Sequence, residues 1–236
     1  YTEYWGDWRE GLNGRGEGPA RWDAVYAPLL ATLAAAQEPV SLSQLLAWSG
    51  AEATAHEAAR LLKERWSAFI AEIQNGELHF SFYHASLRDF VAGEVEQIDV
   101  SPASLYLLDD LAECTRHAHL RIVGHYRKQC DGDWPKLAND EYARHHLAAH
   151  LVGAGMNDAL CALVTEGEAH NAWAEVRYSR ENTYAGYLAD LNLAWHWAES
   201  DRWWDVGRQI RCALIQSSVY SLVENVSPDL IYRLVE

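Results

Sequence analysis

The residue best suited to chemistry is a histidine within the nonapeptide Phe82-Tyr83-His84-Ala85-Ser86-Leu87-Arg88-Asp89-Phe90. A neutral imidazole offers one hydrogen-bond donor, and its protonated form adds a positive charge to the same contact. The pattern places His84 where an apolar strand gives way to an amphipathic helix. A structural role is the alternative, in which His84 hydrogen-bonds to its own hairpin or caps the helix that follows.

A β-hairpin and three helices are predicted ahead of His84. Two runs rich in β-forming residues, 68–74 and 77–83, flank Asn75-Gly76, the dipeptide that most strongly signals a tight hairpin. Apolar residues at helical spacing predict three helices before the hairpin, over residues 21–36, 42–48 and 52–66. Ser41 can cap the second of these helices. Helices followed by a hairpin are the order of a winged helix, so we expect that domain over residues 21–97.

Charge argues against DNA binding, the most familiar role of winged helices. The chain has a formal net charge of -15, whereas a DNA-binding module needs a basic stripe to release counterions from the phosphates. On the predicted helix at 52–66, the basic residues Arg60, Lys63 and Arg65 alternate with glutamates, as is typical of a solvated helix face. A DNA-binding regulator is therefore the third hypothesis.

The same residues resemble a known family. Residues 82–90, the Asn-Gly hairpin before them and the segment Pro39-Val40-Ser41-Leu42-Ser43-Gln44-Leu45 are similar to the winged-helix end of a STAND signalling NTPase of the NACHT or NB-ARC kind. That family includes NOD-like receptors and bacterial defence ATPases. Its members typically have this sequence pattern at successive positions: aromatic, apolar, His, any residue, Ser or Thr, apolar, any residue, Asp or Glu, Phe. The nine residues from Phe82 to Phe90 follow this order.

The resemblance implies a nucleotide-binding role for His84. In the family this histidine reaches the β-phosphate of ADP held by the NTPase core and keeps the protein closed. One hydrogen bond to a charged group contributes about 1.5–3 kcal/mol, whereas moving a switch from 1:99 to 99:1 takes about 5.5 kcal/mol. His84 would therefore bias a switch, and domain packing would supply the rest. The resemblance also implies ADP or ATP with Mg in the full-length protein, homo-oligomers on activation and a signalling or antiviral defence role. Nothing in the sequence resembles a signal peptide or a membrane span, so we expect a cytoplasmic location.

This chain does not carry the phosphate-binding loop of such an NTPase. No Gly-x-x-x-x-Gly-Lys-Ser/Thr is present, and the lysines Lys63, Lys128 and Lys136 follow no glycine-rich loop. Residues 11–18 are glycine-rich without a preceding apolar strand, so we interpret residues 1–20 as a linker from an upstream core. By itself the chain is expected not to be an enzyme; the P-loop ATPase would be the full-length protein.

Residues 98–236 are predicted to form a second, wholly helical domain. Periodicity and short polar joints predict helices over 104–130 (broken near Gly124), 140–154, 157–166, 169–179, 182–199, 203–223 and 228–235. Residues 142–160 resemble the helical linker that precedes sensor repeats in bacterial STAND proteins. The expected class is thus mainly α: a winged helix with a small hairpin, then an α-helical bundle or irregular, tetratricopeptide-like α-solenoid.

Metal and enzyme sites are weaker interpretations. Cys114, His117, His119, His125 and Cys130 match no common zinc spacing, and no glutamate lies between the histidines one turn apart at 146 and 150 as in a zincin. Neighbouring carboxylates at 109–110 and 131–133 do not create an opposed acid and base, and no nucleophile signature is present. We therefore predict no metal site. The four distant cysteines are expected to be reduced core thiols.

Tryptophans provide the remaining candidate surface. The chain has 11 of them, and four cluster near its C-terminal end: Trp195, Trp197, Trp203 and Trp204. Packing between helices would explain them. Alternatively, they form a concave aromatic surface for a protein or peptide ligand. The second functional hypothesis follows from this alternative: a protein-interaction scaffold with a purely structural winged helix. Only the third hypothesis, the DNA-binding regulator, involves a nucleic acid. None of the three involves a membrane.

Overall fold

The computed structural model describes Trp5 and residues 18–95, 102–166, 171–200 and 205–224. The described part is mainly helical and contains one three-stranded antiparallel sheet. The chain forms two compact units, residues 1–125 and residues 126–236. The sequence predicts the domain boundary earlier, near residues 96–102, of which 96–101 lie outside the described residues.

From residue 18 onward the first unit begins with helix α1, which consists of three consecutive segments: Gly18–Arg21, the π-helical Trp22–Tyr26 and Ala27–Ala35. Pro28 lies at the start of the last segment, where its missing N–H costs no helical hydrogen bond. Residues 29–35 of α1 are all buried. The helix predicted over 21–36 is confirmed, and it forms one wall of the unit's core.

Helix α2 (Leu42–Ser49) begins as the sequence predicts. The Ser41 hydroxyl accepts a hydrogen bond from the Gln44 N–H at 3.2 Å, and the Gln44 side chain accepts one from the Ser41 N–H at 2.9 Å. This reciprocal pair satisfies two N–H groups that would otherwise lack partners at the start of the helix. Ser41 is therefore confirmed as the N-cap.

Helix α3 begins later than the predicted residue 52. It consists of Ala55–Arg60 followed by the π-helical segment Leu61–Arg65. The Thr54 hydroxyl accepts a hydrogen bond from the Glu57 N–H at 3.2 Å, which makes Thr54 the N-cap and fixes the start of the helix there. Periodicity cannot resolve this offset, because the residues from 51 to 59 are mostly alanine and glutamate.

The predicted hairpin is confirmed, with strands β2 (Ile70–Asn75) and β3 (Glu77–Phe82). Only Gly76 separates them; its φ of +74° is a conformation that glycine adopts readily. A third strand, β1 (Val40–Ser41), also pairs with β3, with Val40 opposite Phe80 and Ser41 opposite His79. The sheet order is therefore β1-β3-β2. A strand of only two residues is too short to show alternating apolar and polar positions, so the sequence could not predict β1.

Helix α4 (Ala85–Ala92) follows β3 and ends at Gly93. Next comes α5 (Pro102–Gln129), which runs without the predicted break at Gly124. A helical glycine costs about 1 kcal/mol, and the burial of the neighbouring Ile122 and Val123 offsets this cost. Inside the first unit, the Thr115 hydroxyl of α5 donates a hydrogen bond to the Val91 carbonyl at 3.1 Å.

The second unit contains helical pairs with short joints. After a 3₁₀ segment, Trp134–Asn139, that the sequence did not predict, the helices are α6 (Glu141–Gly153), α7 (Asn157–Thr165), α8 (Ala172–Glu181), α9 (Ala185–Glu199) and α10 (Val206–Glu224). Each corresponds to a predicted helix, and α8 starts later than expected because Asn171 is its N-cap. The helix predicted over 228–235 lies outside the described residues.

None of the helices in the described ranges is both long and apolar enough to cross a lipid bilayer. The described cysteines are all free thiols, as predicted; Cys130, Cys161 and Cys212 are buried and Cys114 is half-buried.

Two glycines with nearly equal φ provide a test of the packing around α4. A Cβ at Gly93 (φ +73°) would lie 2.6 Å from the Leu108 carbonyl oxygen and 2.7 Å from the Ala112 backbone nitrogen, whereas a Cβ at Gly76 would meet nothing within 4 Å. Gly76→Ala should lower the unfolding free energy by about 1–2 kcal/mol, the cost of the left-handed conformation. Gly93→Ala should cost clearly more, because α5 must also shift. Urea unfolding of both variants measures these changes. Equal losses of unfolding free energy would contradict the close contact between Gly93 and α5.

Candidate functional site

His84 occupies the N-cap of α4, and its main chain alone starts the helix. Its backbone is extended, with φ -116° and ψ 131°, and its carbonyl oxygen accepts hydrogen bonds from the N–H groups of Leu87 at 3.1 Å and Arg88 at 3.2 Å. The imidazole makes no capping hydrogen bond. The structural alternative in which the side chain caps the helix is therefore wrong.

The imidazole of His84 is exposed beside an exposed aromatic ring. The Tyr83 ring lies edge to face with it, at 4.6 Å between centroids and 89° between planes, and Tyr83 is 67% exposed. The Tyr83 N–H donates to the Phe69 carbonyl at 2.8 Å, which fixes the main chain just before His84 to the residue that precedes β2. The backbone at the site is thus held by the sheet, while both side chains remain open to a partner.

The helix after His84 is held in place by apolar residues, as its pattern predicts. Leu87 and Phe90 are buried, 4% and 6% exposed, and Val91 is 1% exposed. Arg88 and Asp89 form an exposed ion pair at 3.5 Å. Because one face of α4 is buried, the orientation of its N-terminus, and hence of His84, is determined by the core of the first unit.

The predicted tryptophan surface is described only in part. Trp195 and Trp197 lie on α9 and are half-buried with their indole nitrogens buried, whereas residues 203 and 204 lie outside the described residues. The guanidinium of Arg208 stacks over the Trp197 ring, 4.8 Å from its centroid. Trp197 therefore packs within the unit, and a ligand surface that includes all four tryptophans stays a prediction.

Arg208 also joins two helices through charge. Its guanidinium lies 2.7 Å from Asp158 on α7 and 3.3 Å from Asp205 just before α10. These pairs are partly exposed, where an ion pair contributes about 1 kcal/mol or less. Together with the stacking on Trp197, they make Arg208 a packing residue of the second unit.

Sequence reasoning missed a buried ionic cluster in the second unit. The Arg177 side chain is 5% exposed; its guanidinium lies 3.0 Å from the Glu181 carboxylate and 3.7 Å from that of Asp190, and donates to the Arg144 carbonyl at 2.5 Å. The Trp173 indole donates to Asp190 at 2.8 Å. The spacing Trp-x₃-Arg-x₃-Glu puts Trp173, Arg177 and Glu181 on one face of α8, which is the signal that could have revealed the cluster.

Burial perturbs the titration of this cluster. It raises the pKa of Asp190 to about 6, although Arg177 and the indole hydrogen bond from Trp173 oppose the shift. Charges removed from water need partners, and here Asp190, Glu181 and a main-chain carbonyl surround one guanidinium. We interpret the cluster as a structural clamp between α6, α8 and α9 and not as a catalytic site, since its carboxylates face the arginine that neutralises them.

The candidate metal ligands are apart or otherwise engaged. No three His, Cys, Asp or Glu side chains converge anywhere in the described part of the chain. His119 is buried, which lowers its pKa to about 4, and His117 lies 3.3 Å from Glu113 in an exposed contact. His146 and His150 both pack against the Tyr142 ring, and His150 is hydrogen-bonded to the Tyr142 hydroxyl at 3.0 Å.

Comparison of the chain with protein-family models, with curated proteins and with solved structures found no match.

The perturbed carboxyl of Asp190 predicts a pH dependence of stability. Its pKa rises from an ordinary 3.8 to about 6 on folding, so between these values the folded state binds more protons than the unfolded state. The unfolding free energy should therefore fall as pH rises from about 4 to about 6. Asp190→Asn should lack this fall, so the difference in unfolding free energy between variant and wild type should shift by up to about 3 kcal/mol in favour of the variant as pH rises from about 4 to about 6. Urea unfolding of the wild type and the variant at several pH values checks this prediction. If the unfolding free energies of the two proteins changed in parallel with pH, the raised pKa of Asp190 would be contradicted.

The packing of Gly186 against the clamp provides a second test, with Gly124 as the control. A Cβ at Gly186 would overlap the Arg177 guanidinium and the Glu181 carboxylate, while one at Gly124 would meet nothing within 4 Å. Gly124→Ala should raise the unfolding free energy by about 1 kcal/mol, as in an ordinary helix interior. Gly186→Ala should lower it, because the buried guanidinium must move from its partners. Thermal unfolding of the pair measures this; stabilisation by both substitutions would exclude the clamp.

Proposed function

We propose that this chain is a regulatory segment of a STAND-type signalling or defence NTPase. In this proposal residues 21–97 form a winged helix whose His84 contacts the β-phosphate of ADP bound with Mg to an upstream NTPase core. The helical second unit relays ligand sensing or oligomerisation. The observation that carries the proposal is the exposed imidazole of His84, which its own helix does not use as a cap.

The arrangement of elements supports a winged helix. From α1 to the end of the sheet, the described elements of the first unit run α1, β1, α2, α3, β2, β3, and the sheet has the order β1-β3-β2. In the proposed winged helix, α1, α2 and α3 are the three helices, the hairpin is the wing, and the short strand after α1 completes the sheet. The nonapeptide begins at the last residue of β3, so its histidine emerges where the wing ends and the next helix starts.

The geometry at His84 suits contact with a phosphate. The N-terminus of a helix carries partial positive charge and N–H groups that favour anions. An exposed imidazole at that position can donate to a phosphate oxygen without first breaking an internal hydrogen bond. The buried face of α4 holds the main chain in place, which lowers the entropy lost when the contact forms.

The charge of α3 supports a role other than DNA binding. Arg65 donates to the Tyr26 hydroxyl at 3.1 Å and its guanidinium lies 5.1 Å from the centre of that ring, while Lys63 lies 3.8 Å from Glu72. Glu57 forms an ion pair with Arg21 of α1. Two of the three basic side chains on the helix that would read a DNA groove are thus engaged within the unit.

The helical pairs of the second unit support the irregular, tetratricopeptide-like α-solenoid. Three-residue joints, 154–156 and 182–184, connect α6 to α7 and α8 to α9. Joints of this length place consecutive helices side by side and antiparallel. Helices α9 and α10 also pack on each other. Such stacks expose extended surfaces for protein ligands, which suits a sensor or an oligomerisation module.

A nucleotide-release measurement on the intact protein tests the role of His84. In a protein that contains this chain and its upstream core, His84→Ala should raise the ADP dissociation rate by about tenfold to a hundredfold, because one charged hydrogen bond is lost. Release of a fluorescent ADP analogue measures the rate. The same variant should populate the open, oligomeric state more, which gel filtration detects.

His79→Ala is the matched control. His79 lies on β3, five residues before His84, and its Nδ1 lies 2.9 Å from the Glu77 carbonyl oxygen. This variant should release ADP at the wild-type rate. If both variants match the wild type, the histidine has no nucleotide role, and the chain is better explained as a protein-interaction scaffold with a structural winged helix.

A further inference from the structure

A cavity in the first unit lies away from His84, between α1, α4 and α5. Its volume is about 250 Å³, and its walls include Trp5, Trp22, Val91, Leu107 and Leu111. Ligand pockets usually measure roughly 300–1,000 Å³. An occupant of this cavity must therefore be small.

Two tryptophans form an aromatic corner at the cavity. The rings of Trp5 and Trp22 lie 5.0 Å apart between centroids with their planes at 88°. Trp5 also contacts Phe90 edge to face at 6.1 Å. Indole is the aromatic group that attracts cations most strongly, because its ring carries negative charge on its faces. The corner thus offers both an apolar and a cation-attracting wall.

Carboxylates supply negative charge at the same cavity. Asp23, Asp110 and Glu113 line it. Arg116 neutralises Glu113 through hydrogen bonds of 2.6 and 2.8 Å, whereas Asp23 and Asp110 have no ion-pair partner within the described ranges. Among the described residues, Asp23 and Asp110 thus leave two carboxylates without an ion-pair partner in the lining of the cavity.

The charges of both aspartates act on the thiol of Cys114, which also lines the cavity. Burial raises the pKa of Cys114, and the charges of Asp110 and Asp23 raise it further, while Arg121 acts in the opposite direction. Carboxylates on two different helices, α1 and α5, thus act on one atom in the cavity wall. At neutral pH this thiol is protonated and adds no charge of its own.

We propose that this cavity binds a small organic cation, an alkylammonium whose charged end faces Asp23 and Asp110 while its carbon chain lies against Trp22 and the aliphatic wall. The aromatic corner and the carboxylates both favour a positive charge, and the aliphatic residues favour a short apolar body over a bare metal ion. A neutral or anionic molecule of the same shape would lose the carboxylate contacts. This site is independent of the nucleotide role of His84.

Titration of the whole chain with three isosteric probes tests the proposal. Butylamine, 1-butanol and butyrate have similar size and differ in charge, and the indole N–H signals in ¹H–¹⁵N spectra follow binding. Butylamine should shift the Trp22 signal with a dissociation constant on the order of 1 mM at low ionic strength. The alcohol should bind at least about tenfold more weakly, and butyrate should not bind. Equal binding of the amine and the alcohol would overturn the proposal.

Adjacent aspartates provide the matched variants. Asp110 lines the cavity and its neighbour Asp109 does not, so Asp110→Asn should weaken butylamine binding about tenfold or more, while Asp109→Asn should leave it unchanged. Asp23→Asn should act like Asp110→Asn and serves as the second variant if the latter unfolds. Equal losses in Asp109→Asn and Asp110→Asn would mean attraction to the acidic chain as a whole and would overturn the site. An unshifted Trp22 signal in the wild type would overturn it as well.

Discussion

Hydrogen bonding on both sides of β3 is the constraint on which the first unit depends. Val40 and Ser41 of β1 pair with one edge of β3, and β2 pairs with the other along its length. Side chains alternate between the faces of a strand, so a shift of one residue would turn Phe80, now 1% exposed, out of the core. The two-sided pairing therefore fixes the register of β3. The register in turn fixes where the chain leaves the sheet and α4 begins.

The position of His84 follows from that register and from the packing of α4. The helix is fixed at one end by its buried residues and by Gly93, which allows α4 and α5 to approach closely. The result is a main chain positioned by packing and an exposed imidazole, which is the arrangement that a contact across a domain interface requires. Such a contact can bias a switch only by its own few kcal/mol, so the proposed regulation needs further packing between the domains.

The second unit depends on a different kind of constraint, the need of one buried guanidinium for partners. Arg177 takes them from Glu181 on its own helix, from Asp190 on α9 and from the main chain of α6. A buried ion pair adds little net stability, because desolvation offsets the attraction. It does penalise every arrangement in which the charges are unpaired. We infer that the cluster selects one packing of these helices among several that apolar burial alone would allow.

The sequence by itself determined the local structure: the helical periodicities, the Ser41 cap, the hairpin at Asn75-Gly76 and the place of His84 between a strand and a helix. These depend on residues within a few positions of one another, so their signals are local. Only the tertiary structure decided the pairing of β1 with β3, the exposure of the His84 imidazole, the clamp around Arg177 and the cavity at Trp5 and Trp22. Each of these brings together residues distant in sequence, or depends on which neighbours surround a side chain, and periodicity carries no information about such contacts.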